Sequence, residues 1–321
     1  MANTHNLFQE FNTEISVTQS KKNKMTTSKN ALRERVRKHF KEEHPEYIPN
    51  FYIQGSYKMK TNIRTKDDIC DLDDGVYFFR EPDVEPTTLQ TWIKDAVNGH
   101  TTTSPEHRKK CIRSIFSGDY EIDMPVYIKK SEGENYQIAV KNTGWEESDP
   151  KEMVDWFNTQ KDEKGVLIRI VKFLKAWCDF KRNKMPSGLT MTILASNAKN
   201  NISYSENRDD ICLRDILKEI RIAISSPNEF KCIVPAVPND DLFADYDNTR
   251  KDNFLTALDN FIADAEKAIT EKNYLKASKY WKKHLGNRFK DGEDKDEEDE
   301  QQKFSSLFEL ASQSKPWQNE K

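Results

Sequence analysis

Ile69-Cys70-Asp71-Leu72-Asp73-Asp74-Gly75-Val76-Tyr77-Phe78-Phe79 is the stretch on which the reading of this chain turns. It opens by alternating apolar and acidic positions and closes on a β-rich run, Val76 to Phe79, so it reads as a strand. Acids at i and i+2 of a strand project from the same face. Asp71 and Asp73 have that spacing, with Leu72 facing the other side. Paired carboxylates suit a hard cation such as Mg²⁺, which prefers oxygen and takes one or two carboxylates plus substrate phosphates. A DxD alone is common in surface turns, and Asp67, Asp68 and Asp74 make the whole segment acidic. Its meaning therefore depends on what flanks it.

Upstream, Phe51-Tyr52-Ile53-Gln54-Gly55-Ser56 is a short strand that runs into a Gly-Ser pair. Glycine lets a backbone approach a phosphate closely, and serine adds a hydroxyl and an N–H as donors. Downstream, Tyr120–Tyr127 places Asp123 between Ile122 and Met124. An unpartnered charge in such an apolar strand is costly, so Asp123 is the best candidate for a third acid on a neighbouring strand. Strand-Gly-Ser, then DxD opening an apolar strand, then a lone Asp in a later strand is far more specific than any of its parts. It points to Asp71, Asp73 and Asp123 holding two Mg²⁺ ions about 3.5–4 Å apart, with Mn²⁺ as a substitute, while a triphosphate supplies further oxygens.

The chain has 321 residues, enough for two lobes of ordinary domain size. A net charge of −3 argues against an obligatory nucleic-acid partner, which usually calls for a basic chain. The cysteines at 70, 111, 178, 212 and 232 show no metal spacing, and neither do the six histidines. Reduced thiols of a cytoplasmic protein are expected. The opening MANTHNLFQEF lacks the apolar core of a signal peptide. No window approaches the roughly 18–20 apolar residues of a membrane span, so a soluble chain with no membrane partner is expected.

Residues 6–46 read as helical, with Phe8, Phe11 and Ile15 on one face, Leu32, Val36 and Phe40 on another, and a break expected in the polar stretch 18–29. Residues 87–97 suit a helix, and 111–116, 120–130 and 136–142 are strand candidates. From Asp149 onward the pattern is helical, through 166–180, 189–199, 212–224, 253–269 and 274–286, the last closing on Gly286. The expected fold class is α+β and bilobed. Residues 1–155 form a mixed-sheet lobe with an N-terminal helical segment, and 156–290 form an α-helical lobe that closes a nucleotide cleft. Residues 291–321 form an acidic, flexible tail that begins with DGEDKDEED.

Taken together, Gln54-Gly55-Ser56-Tyr57, the segment 71–77 and the segment 122–127 resemble the core of the polymerase-β-type nucleotidyltransferases. More narrowly, they resemble the bacterial cGAS/DncV-like nucleotidyltransferases, over roughly residues 5–290. Arg169–Trp177 is similar to the family helix that carries a triphosphate-binding lysine, which implies that role for Lys175. Pro186-Ser187-Gly188-Leu189 resembles the serine segment that follows it, which implies Ser187. With Gln54, Gly55 and Ser56, these are the expected nucleotide-binding residues. The resemblance implies an enzyme that joins nucleoside triphosphates, purines by kinship with the DncV side, into a cyclic di- or trinucleotide and releases diphosphate. It also implies a role in anti-phage defence and a partner effector that the messenger switches on. A linear, template-independent transferase acting on RNA or a small acceptor is an alternative, as is an inactive nucleotide-binding module.

Several of these residues have a second reading. Lys175 is a point cation suited to a triphosphate, but Lys172 and Lys175 also fit the solvated face of an amphipathic helix. Ser187 equally fits an N-cap after Pro186. Lys58, Lys60, Arg64 and Lys66 either steer anions into the cleft or form an exposed loop. Tyr77 and Trp177 either stack on bases or pack in a core. By the family resemblance Asp240, Asp241 and Asp245 lie where base-contacting polar groups are often placed, and the choice among them is open.

Overall fold

The computed structural model describes residues 1–182, 184–225 and 230–297. The acidic segment forms the central strand β2 (Cys70–Phe78) of an eight-stranded mixed sheet. β1 (Asn50–Gln54) runs antiparallel to it, with Gln54 opposite Asp73. β5 (Tyr120–Met124) and β6 (Val126–Ile128) run parallel to it in succession. Pro125 separates them, because it has no N–H to give to the ladder, and its carbonyl accepts from the Val76 amide at 2.8 Å. β3 (Glu106–His107) and β4 (Ile112–Phe116) extend the sheet beyond β5. β7 (Gln137–Val140) and β8 (Gly144–Glu147) extend it beyond β6.

Strand parity sorts the acids of β2. Leu72, Val76 and Phe78 share one face and bury themselves with Ile122 and Met124 against α2 (Gln19–Glu43) and α4 (Pro86–Val97). Asp74 shares that face and is buried, so it needs a partner. Arg33 of α2 supplies it with a two-armed ion pair, Nε to Oδ2 at 2.7 Å and Nη2 to Oδ1. Arg33→Ala leaves that carboxylate buried and unpaired, and is expected to destabilise the fold by about 3–5 kcal/mol, read as a lower urea midpoint. Asp71 and Asp73, of opposite parity, face away from this core.

The helical lobe is built around α6 (Val166–Lys181), whose Ile170, Val171, Phe173, Leu174 and Trp177 are all buried. α5 (Pro150–Gln160), α7 (Gly188–Lys199), α8 (Asp209–Ala223), α9 (Asn248–Thr270) and α10 (Tyr274–Leu285) share its core. The N-terminal segment joins the two lobes. Phe8 of α1 (His5–Ile15) packs its ring on Phe173, Trp281 and Phe289, with centroids 5.0–5.1 Å apart. Phe40 of α2 instead packs on Phe78 of the sheet at 5.1 Å.

The break expected within 18–29 lies earlier, at Ser16–Thr18, and α2 is continuous from Gln19, capped by the Thr18 hydroxyl. The polar stretch is helical because its inward side chains find polar partners. Lys21 donates to the Asp119 carbonyl at 3.0 Å and pairs with the Asp68 carboxylate at 3.0 Å. Ser28 bonds the Tyr120 hydroxyl at 2.8 Å. In the acidic segment that begins at Asp291, the described part is tied back on the fold. Gly292 N–H donates to Ser278, and the Tyr274 amide donates to the Lys295 carbonyl. Residues 298–321 lie outside the described residues. No described helix is long and apolar enough to cross a membrane.

Candidate active site

A cleft of about 800 Å³ separates the lobes. Gln54, Gly55, Ser56, Asp71 and Asp73 line it from the sheet side, Lys175 and Gly188 line it from the helices, and the 234–240 loop closes one end. The Gly-Ser pair does not sit in a plain turn but opens a short helix, α3 (Gly55–Met59). Gly55 takes φ +61°, and a Cβ there would collide with the Asp73 carboxylate, Cγ included, at 3.0 Å. Glycine thus lets α3 start directly against the acid. On the far wall, a Cβ on Gly188 would press on the Lys175 stem at 3.2 Å.

Parallel pairing of β2 and β5 sets Asp73 beside Asp123 and Asp71 beside Glu121. Burial, then the charges of Asp71 and Asp123, push the Asp73 carboxyl well above the usual carboxylate range. The nearest cations do not settle this charge. Lys175 donates to the Thr61 hydroxyl at 3.0 Å, and burial lowers its ammonium to about 8 against the opposing pull of Asp71 and Asp73. Arg113 is bonded to Asp123, Nε to Oδ1 and Nη2 to Oδ2, both at 2.7 Å, and its Nη1 reaches Glu121. Among the described residues no three His, Cys, Asp or Glu side chains form a ready-made metal cage. Two neighbouring carboxylates, Asp71 and Asp73, opening on a cleft nevertheless fit a hard cation that draws its other ligands from phosphate oxygens.

The other expected residues are placed as follows. Gln54 lines the cleft by position, but its amide links two hydroxyls, accepting from Tyr77 at 2.8 Å and donating to Tyr127 at 2.9 Å. Ser187 caps α7 by accepting from the Thr190 amide at 3.1 Å. Lys172 points to the α1–α2 junction, donating to Ser16 at 3.1 Å. Arg64 is bonded to Ser16 and Asp68, while Lys58, Lys60 and Lys66 are exposed. Tyr77 stacks on Tyr127 at 4.6 Å, and Trp177 is fully buried. Of the three later acids only Asp240 lines the cleft, whereas Asp241 accepts from the Cys232 and Phe243 amides. The sequence reading missed Thr61 and Arg113. Arg113 carried the same signal as Asp123, a charge inside an apolar strand.

Residues 49–127, which contain the Gly-Ser pair and all three acids, match the family described as Cyclic GMP-AMP synthase DncV-like, nucleotidyltransferase domain. Over this segment the chain is similar to the cGAS/DncV-like nucleotidyltransferases. It is 28% identical over 202 residues to the cyclic GMP-AMP synthase of Escherichia albertii, a match that covers 57% of this chain and 44% of that relative. The chain thus spans less than half the length of the curated relative it matches. The DncV-like fold extends well past the matched segment. The apo form of Vibrio cholerae DncV superposes with a TM-score of 0.78 at 19% identity, over 90% of this chain and 96% of the other. Vibrio cholerae DncV in complex with a linear intermediate, 5′ pppA(3′,5′)pG, gives 0.77 at 18% identity, over 90% and 97%. Escherichia coli DncV bound to 3′-deoxy GTP gives 0.72 at 19%, over 86% and 93%.

Proposed function

We propose that this chain is a Mg²⁺-dependent nucleotidyltransferase that joins nucleoside triphosphates, purines foremost, into a cyclic dinucleotide with release of diphosphate. The observation that carries the reading is the cleft itself. Asp73 lies undercompensated against Gly55, with Asp71 beside it in the cleft wall, and Lys175 stands opposite. Kinship with the cGAS/DncV-like family supports the cyclic product. It also supports a cytoplasmic messenger that acts on an effector in anti-phage defence.

Divalent ions held by Asp71, Asp73 and Asp123 would neutralise the triphosphate and ease deprotonation of the attacking hydroxyl. Asp71 and Asp73 serve the donor side, and Asp123, one strand over, serves the acceptor side. Gly55 and Ser56 present backbone N–H groups and a hydroxyl to the donor β- and γ-phosphates. Lys175 reaches the same phosphates from the other lobe, exchanging its bond to Thr61 for a charge-assisted one. Ser187, at the start of α7, supports that grip from the Lys175 wall. Lys175→Ala removes a contact worth roughly 1.5–3 kcal/mol. It is expected to raise the apparent KM for triphosphates about ten- to a hundredfold, and Lys172→Ala should do less, since Lys172 faces away from the cleft. Steady-state kinetics on both variants tests the ranking.

A cleft closed on two sides needs no surface track for a polymer, and one site can run both transfers if the linear intermediate turns over between them. The test is to give nuclease-treated protein the four NTPs and Mg²⁺, then analyse products by mass spectrometry before and after phosphatase. A phosphatase-resistant dinucleotide is the expected result. A product that phosphatase trims, or one that forms only with added RNA, assigns the chain to linear transfer, and no product at all makes it a binding module.

A further inference from the structure

The two acids on β2 and the acid on β5 are not equally available. Asp71 and Asp73 line the cleft, whereas Asp123 does not. Both of its carboxylate oxygens are held by one guanidinium, in the two-armed geometry that makes Arg–carboxylate pairs strong. Arg113 sits directly opposite Asp123 in the β4–β5 pairing, so the backbone register presents the fork to the acid. The third nitrogen of the guanidinium is bonded to Glu121, two residues before Asp123 on the same strand.

We infer that Arg113 is a positioning residue that competes with the second metal ion for Asp123, and that Glu121 sets the strength of this competition. The inference rests on the metal-binding reading of the acids proposed above. An ion arriving at Asp123 must displace at least one arm of the fork. Glu121 makes that displacement tolerable, because a guanidinium that releases one Asp123 oxygen keeps a carboxylate partner and is not left unpaired near a half-buried site. The first ion, carried in with the donor triphosphate to the open pair Asp71 and Asp73, meets no such barrier. The arrangement therefore orders assembly: the donor and its ion bind first, and the acceptor-side ion binds last.

The two side chains around Asp123 then make opposite predictions. In Arg113→Gln the fork and its positive charge are lost, so the second ion should bind at least about tenfold more tightly. In Glu121→Gln the guanidinium loses its alternative partner and rests wholly on Asp123, so the second ion should bind several-fold more weakly. The probe is Mn²⁺ with a nonhydrolysable ATP or GTP analogue, with free Mn²⁺ read by electron paramagnetic resonance across a titration and thermal melts run in parallel. Tighter binding in one variant and weaker binding in the other supports the clamp, since a merely structural ion pair predicts loss of affinity in both. Loss in both, or no change in either while the wild type takes up two ions, overturns it. Should Arg113→Gln not fold, Arg113→Lys keeps a charge without the fork, and an unchanged second-ion affinity in that variant also overturns the clamp. A wild type that binds no Mn²⁺ with nucleotide refutes the metal reading itself, and the clamp with it. Two-ion uptake with unmoved variants refutes the clamp alone.

Discussion

Asp73→Asn is expected to lower the rate of product formation by at least about a thousandfold, and Asp71→Asn to do much the same. Charge stabilisation by ions at such a site contributes several kcal/mol to the transition state, and each 1.4 kcal/mol is about a factor of ten in rate. The fold should not suffer. Asp73 is pushed upward by burial and by Asp71 and Asp123, so its pKa is higher folded than unfolded. The folded state therefore holds its proton more readily, and ionisation above the unfolded value weakens folding. Asparagine removes that ionisation at equal size, so the melting temperature at neutral pH should hold or rise. Initial rates by liquid chromatography and a melt on the same preparation decide it. Loss of activity with a marked fall in melting temperature would instead make Asp73 a structural residue, and full activity would remove it from the site.

Gly55→Ala is the second large effect. A Cβ at residue 55 collides with the Asp73 carboxylate, and φ +61° adds strain for any L side chain. The strain alone costs about 1–2 kcal/mol of stability. The collision turns the acid out of place or displaces α3, so product formation should fall more than about a hundredfold, in line with the cost of misplacing a reacting group by 1 Å. Gly118→Ala is the control. Gly118 has φ +72° with nothing within 4 Å of its added Cβ, so it should lose stability to a similar extent and keep its activity. Ser56→Ala should be milder than Gly55→Ala, because it removes one hydroxyl donor and leaves the backbone in place. Equal loss in Gly55→Ala and Gly118→Ala would show that strain, and not contact with Asp73, is what matters.

Much of this was legible from parity alone. The i, i+2 spacing put Asp71 and Asp73 on one face, the apolar surroundings of Asp123 marked it as a buried exception, and the β2–β5 register sets the first and last of these strands side by side. The same parity explains why Asp74, two residues from Leu72, belongs to the core and to Arg33. Periodicity could not show the long-range partners. Lys21 reads as a solvated residue in sequence, yet its stem is buried and its ammonium crosses to Asp68 and Asp119. The division between Lys172 and Lys175, three residues apart on α6, depends on which neighbour each meets: Ser16 in one case, Thr61 and the cleft in the other. Nor could spacing reveal that the Asp123 carboxylate is occupied by a guanidinium from the next strand.

The most direct measurement is a crystal structure of the protein grown with a nonhydrolysable purine triphosphate and Mn²⁺, with the ions located by their anomalous signal. The triphosphate is expected in the interlobe cleft, with its β- and γ-phosphates on Gly55, Ser56 and Lys175, and Mn²⁺ on Asp71 and Asp73. A nucleotide bound elsewhere, or one in the cleft with its phosphates away from Lys175 and no ion on the two aspartates, would contradict it.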